Sequence, residues 1–185
     1  MPRTSHTKPN ATGRSSGNVA GSRNRSVMQP PKDEPWVFET RELKESPAWR
    51  HQSISCRRLI DFLQIDHMSH AGAENGNLRA TYDQLVEYGV SRRLIKEAIQ
   101  EAEFLGLIKV VKWGGKWNGT NQPTIFRLTL YHDRDFRDPT NGWKRRTEDE
   151  IVAWKETQAA ARRDRKERQK AAAERRKKQV RRATS

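Results

Sequence analysis

Between residues 53 and 131 the apolar positions recur with periods that change several times along the chain. Cys56, Leu59, Ile60, Leu63 and His67 stand at i, i+3, i+4, i+7 and i+11, one face of an amphipathic helix. The stretch from Gly72 to Gly76 breaks that pattern. Asn77 to Ala80 has room only for a brief extended piece. Thr81 is placed to cap a second helix, Tyr82 to Tyr88, which offers Leu85, Val86 and Tyr88 to a core and stops at Gly89. Val90 is an apolar residue inside the turn that follows. Ser91 is placed to cap a third helix running to Leu105, and Gly106 ends it. Upstream, Trp36, Phe38, Leu43 and Trp49 form an aromatic-rich lead-in, with Pro47 in or just before the first turn of a short helix.

On a wheel of about 100° per residue starting at Arg92, the third helix divides in two. Leu94, Ile95, Ala98, Ile99, Ala102 and Leu105 fall between about 200° and 340°, while Arg92, Arg93, Lys96 and Gln100 fall between about 0° and 100°. Leu59, Leu63, Ile95, Ile99 and Leu105 are therefore expected to face one another in the core. After Gly106 the pattern turns to strands, Leu107–Trp113 and Ile125–Tyr131. Gly114 to Thr124 between them is rich in turn formers and reads as a hairpin loop with Lys116 and Trp117 near its tip.

Charge and composition set the limits of this domain. Only 33% of the 185 residues are hydrophobic, against about 45–50% in a globular chain, so the whole length is not one packed domain. Residues 1–35 are Ser-, Asn-, Gly- and Pro-rich, carry six basic and two acidic residues, and are expected to be a disordered basic arm. Residues 36–146 hold five of the six tryptophans and are expected to be the folded domain. Residues 147–185 lack Gly and Pro and carry 13 basic and seven acidic residues. They read as an exposed basic helix, with Thr147 and Glu150 as a capping box and no apolar stripe beyond Ala161. The net charge of +14 points to a polyanionic partner. No run of apolar residues is long enough for a membrane span, the start lacks the apolar core of a secretory signal, and the lone Cys56 excludes an internal disulfide framework. A cytoplasmic protein is the expectation.

The element order is helix, short strand, helix, tight turn, helix, strand, loop, strand. That is an α+β, mainly helical arrangement: a winged helix-turn-helix, with three helices and a β-hairpin wing. The stretch from Thr81 to Val110, with Gly89 in its turn and Leu105-Gly-Leu-Ile108 before the wing, resembles the helix-turn-helix of bacterial winged-helix DNA-binding proteins. With Trp49–Met68 and Tyr131 it is also similar to small helix-turn-helix proteins of alphaproteobacteria and their plasmids. The resemblance covers roughly residues 46 to 131, and it implies sequence-specific binding of double-stranded DNA in transcription regulation or in plasmid replication and maintenance.

In that reading the third helix enters the major groove. Arg92, Arg93 and Lys96 meet phosphates and guanine edges, Gln100 an adenine edge, with Ser91 and Thr81 beside them and Lys112, Lys116 and Trp117 on the wing. The C-terminal basic helix neutralises phosphates without reading sequence. A replication-initiation factor at origin repeats, an RNA-binding or ribosome-associated basic protein and a protein-binding adaptor are the alternatives. Monomer and homodimer are both open. Nothing in the sequence asks for a cofactor. His67 and His70 with Asp66 do not form a coherent metal-ligand set, Gly114-Gly115 is not a phosphate loop, and no nucleophile arrangement is present, so catalysis is not expected. Asp61, Asp66, Asp133 and Asp135 read as surface charges.

Overall fold

The computed structural model describes residues 34–183. The expected disordered arm, residues 1–35, lies almost wholly outside them. The chain divides into Met1–Trp36 and Val37–Ser185, and the architecture below is that of the second unit.

Short helices α1 (Arg41–Glu45) and α2 (Pro47–Arg50) meet at Ser46, whose hydroxyl accepts the Trp49 amide while Pro47 takes the first helical position. Helix α3 (Ile54–Ser69) follows, capped by Ser53, and buries the predicted face of Cys56, Leu59, Ile60, Leu63 and His67. Strand β1 (Leu78–Ala80) leads to α4 (Tyr82–Glu87). A 3-10 turn over Arg92–Leu94 runs directly into α5 (Ile95–Phe104). Then come β2 (Ile108–Lys112), β3 (Gly115–Trp117), β4 (Thr120–Gln122) and β5 (Thr124–Leu128). A second 3-10 turn, Gly142–Arg145, precedes the long helix α6 (Glu148–Ala183).

The fold is α+β, with a small antiparallel sheet ordered β1-β5-β2. Phe126 lies opposite Leu78 on one side and Val110 on the other, and Ile108 lies opposite Leu128. These side chains pack on the apolar faces of α3 and α5. Leu59, Leu63, Ile95, Ile99 and Leu105 are each at most 1% exposed, in one cluster, as their spacing predicts.

Several expectations are corrected. In α4 only Leu85 is buried; Val86 faces outward and Tyr88, just past the helix, is only partly covered, its ring edge-on to Phe62 of α3, because a six-residue helix presents too narrow a stripe to bury three large side chains. The strands are shorter than 107–113 and 125–131. Past Leu128 the backbone is captured by Asn75, which is fully buried. Its amide nitrogen donates to the carbonyls of Leu128, Tyr131 and His132, and its oxygen accepts the Leu128 amide at 2.7 Å. The loop 114–124 contains a ladder of its own, β3 with β4, turned by Asn118 and Gly119 at positive φ. Asp133 is not a surface charge. It is 7% exposed, pairs with Arg127 at 3.3 Å and accepts the amides of Asp135 and Arg137. Burial pushes its carboxyl up, but those amides and the guanidinium outweigh that effect and hold it below the ordinary carboxylate range.

Helix α6 is not exposed along its whole length. Thr147 and Glu150 form the expected reciprocal cap. Ile151 is fully buried, and the Trp154 ring stacks on Phe104 of α5 with centroids 4.6 Å apart. Its first turns therefore belong to the same packed body.

Candidate nucleic-acid interface

Gly89 makes the α4–α5 connection possible. Its φ of +99° lies in the left-handed region that favours glycine, and its amide bonds back to Val86. Its carbonyl accepts from Arg58 of α3. Val90 is 2% exposed and pins the middle of the turn to the core. Thr81 caps α4 in a capping box, its hydroxyl accepting the Gln84 amide while Gln84 reaches back to the Thr81 amide. Thr81 thus has a structural task at this site.

Ser91 does not cap the next helix as expected. Its side chain makes no cap bond, and only its carbonyl is used, by the Leu94 amide. The chain enters α5 through the tighter 3-10 turn instead. Arg92, Arg93, Lys96 and Gln100 are all exposed, on the side opposite buried Ile95, Ala98, Ile99 and Ala102. The four predicted residues therefore share one solvent-facing side. Arg92 is ion-paired with Asp83 of α4.

The glutamates of this helix are turned elsewhere. Glu97 pairs with Arg162 of α6 at 2.6 Å. Glu101 accepts both the amide and the hydroxyl of Ser53 at the start of α3. Glu103 accepts the Val110 amide of β2. The sequence puts Glu103 on the same wheel sector as Lys96, and its position at the last turn lets it reach the strand. Glu97 is held by an ion pair and Glu101 and Glu103 by hydrogen bonds, Glu103 from an exposed position, and the basic and amide side chains stay in solvent.

The hairpin stands beside this face. A cleft of about 280 Å³ is lined by Thr81, Tyr82, Asp83, Arg92, Trp113 and Gln122, among others. It separates the start of α4 from the base of the hairpin. Gly114 lies against the Gln122–Thr124 backbone so closely that a Cβ would collide with it, so the glycine holds the strands together at that level. Lys112 is exposed at the end of β2, and Trp113 beyond it is half exposed. Lys116 and Trp117 belong to β3, and their side chains lie outside the described residues.

Two residues that matter here were invisible in the sequence. Trp113 lines the cleft, and its only signal is its position at the end of a strand pattern. Asp83 pairs with Arg92, and it reads in sequence as a favourable first-turn acid. Away from this face, Cys56 is buried, and burial pushes its thiol well above the ordinary range, with Glu101 adding to the effect. His67 is stacked on Tyr131, and burial lowers its basicity. Among the described residues no group of three or more His, Cys, Asp or Glu side chains converges on a common point, and no helix is long and apolar enough to cross a membrane.

No protein-family model, curated protein or solved structure matches this chain.

Proposed function

We propose that this protein is a winged-helix protein that binds double-stranded DNA sequence-specifically, with α5 and the turn before it as the reading element and the β2–β5 hairpin as the wing. The observation that carries this reading is the segregation of charge on α5. Glu97 and Glu101 are turned into contacts within the fold, and Glu103, though exposed, is tied to the Val110 amide, while the side chains of Arg93, Lys96 and Gln100 stand exposed with no hydrogen bond or ion pair among the described residues. An ordinary solvated helix face has no need of that division. A polyanion that must approach the helix closely does.

Helix-turn-helix proteins place the N-terminal part of the second helix in the major groove. Here that part holds Arg92, Arg93 and Lys96. Arg93 and Gln100 supply the bidentate geometry that distinguishes guanine and adenine edges, and Lys96 acts as a point charge toward phosphate. Arg92, held beside α4 by Asp83, faces the cleft toward the hairpin base and is assigned to the backbone, with Lys112 on the strand opposite. Transcription regulation, or control of plasmid replication and maintenance, is the role proposed for such binding.

Selection of binding sites from random duplexes, at one fixed salt concentration, tests the proposal. An enriched motif is expected with the native chain. Arg93→Ala and Gln100→Ala should each relax preference at one or two positions of that motif, by about 1–3 kcal/mol of discrimination. If every variant returns the native motif, α5 does not read the sequence. If nothing is enriched, the protein is not a sequence reader.

A further inference from the structure

The direction of α6 follows from its contacts with α5. Trp154 stacks on Phe104, at the end of α5, and Arg162 pairs with Glu97, near its start. Going forward from Trp154 to Arg162 advances α6 by about 12 Å, and going backward from Phe104 to Glu97 retraces about 10 Å of α5. The two helices are therefore antiparallel neighbours, and α6 heads toward the end of α5 that carries Arg92 and Arg93. By the same rise, α6 draws level with Arg92 near Glu167 and continues to Ala183 for about 24 Å further.

The charge of α6 changes where it leaves the body. Residues 148–162 carry four acids and two bases, while residues 163–183 carry 11 bases and three acids. The acids of this half keep to one face, while its bases lie on both. Ile151, Trp154, Lys155 and Arg162, which contact the body, fall within about 100° of one another on the helical wheel. Continued past the body, that same side carries Arg165, Lys166 and Gln169, with Lys170 at its margin. Asp164, Glu167 and Glu174 cluster about 180° away. On the far side each acid has a base four residues away, Arg163 for Glu167, Arg168 for Asp164 and Lys178 for Glu174, whereas the bases that continue the docked face have no acid among them.

We infer that the projecting part of α6 is a second DNA-binding element, which lies along the phosphates next to the site read by α5 and, for each copy of that site, on one side only. The inference rests on the proposed function above. Its partner is duplex DNA flanking the motif, contacted through charge and without base reading. The 24 Å of helix beyond Arg92 corresponds to about seven base pairs, less than one turn of the duplex.

The test uses the full-length protein with Gln169→Cys carrying an iron-chelate cleavage reagent. Cys56 is fully buried and stays unlabelled. Cleavage is expected within about one helical turn of each copy of the selected motif, on one side of it. In parallel, affinity is measured on the bare motif and on the motif extended by about ten base pairs. Extension on the cleaved side should tighten binding roughly tenfold or more at low salt, and the variant R165A/K166A/K170A should lose that gain and keep the motif. E167Q/E174Q, on the opposite stripe, should retain the gain. Even cleavage over the duplex, or no gain from extension while the motif is still bound, overturns the inference and leaves the reading by α5 standing. Failure to select any motif overturns both, as does equal affinity for structured RNA.

Discussion

Helix α5 and the projecting half of α6 both expose basic side chains, and they are held in opposite ways. Every turn of α5 is fixed by burial on its back, from Ile95 through Ile99 to Ala102, so Lys96 and Gln100 start from defined positions, and Arg92 and Arg93 stand on the 3-10 turn that runs directly into it. Among the described residues the projecting half of α6 is positioned by its root, through Ile151, Trp154, the Arg162–Glu97 pair and the contacts of Glu148 and Lys155 with His51. Reading a base edge requires a donor placed to within a fraction of an ångström, whereas neutralising a phosphate requires only that a charge be near. The difference in anchoring therefore fits the division of labour we propose: α5 for specificity, α6 for the salt-dependent share of affinity.

The comparison breaks most directly at the core. Ile99→Ala removes a fully buried side chain from the back of α5 and should destabilise the protein by about 2–5 kcal/mol, read as a lowered thermal midpoint. Ending the chain after Arg162 should leave that midpoint unchanged, because residues beyond it contribute no buried apolar side chain among those described. The truncated protein should show a shallower dependence of affinity on salt and the same preferred motif. A truncation that lowers the midpoint as much as Ile99→Ala would mean that the two helices are not differently held.

Trp154→Ala comes next. It deletes the stacked partner of Phe104 while the buried core of α5 remains, so the cost should be about 1–3 kcal/mol, below that of Ile99→Ala at its upper end. The sharper readout is the one-sided cleavage pattern, which should spread to both sides once the root of α6 is loose. A variant that loses stability but keeps the one-sided pattern would show that Ile151, Arg162 and the contacts of Glu148 and Lys155 with His51 aim the helix without Trp154.

The two helices also differ in how legible they were. Spacing alone places the buried face of α3, the buried face of α5 and the exposed set Arg92, Arg93, Lys96 and Gln100, because burial on a helix depends on period. The caps at Thr81 and Thr147 were legible for a similar reason: the bonding partner is three residues away. What could not be read were the pairings between distant residues. Asn75 organises the end of β5 from some 53 residues away, and it looks in sequence like one more turn former. Asp133 looks like any loop aspartate until Arg127 lies beside it. The docking of α6 turns on Ile151 and Trp154, two apolar residues in a helix otherwise rich in charge. A stripe that short carries no periodic signal, and Arg162 is distinguished from its basic neighbours only by Glu97 across the groove. The hairpin loop held a two-stranded ladder for which Asn118-Gly119 was a visible turn signal, outweighed by the many other turn formers around it.

The smallest effect concerns Arg92, the one basic residue of the reading turn that is already paired. Its partner Asp83 is about as exposed as Arg92 itself, the side chains being 68% and 62% exposed, so the pair is a surface one contributing at most about 1 kcal/mol to stability. Asp83→Asn should therefore barely move the thermal midpoint. Its effect on binding has a definite sign. The substitution removes a negative charge from the cleft that faces the hairpin base and releases a guanidinium toward the phosphates, so affinity for all duplexes should rise a few-fold together, most at low salt. The selected motif should not change, since a phosphate contact carries no sequence information. A motif altered at one position would move Arg92 from the backbone to the bases. A uniform fall in affinity would mean that Asp83 orients Arg92 for its phosphate, and that an exposed residue of this turn is held as firmly as those fixed from behind by the core.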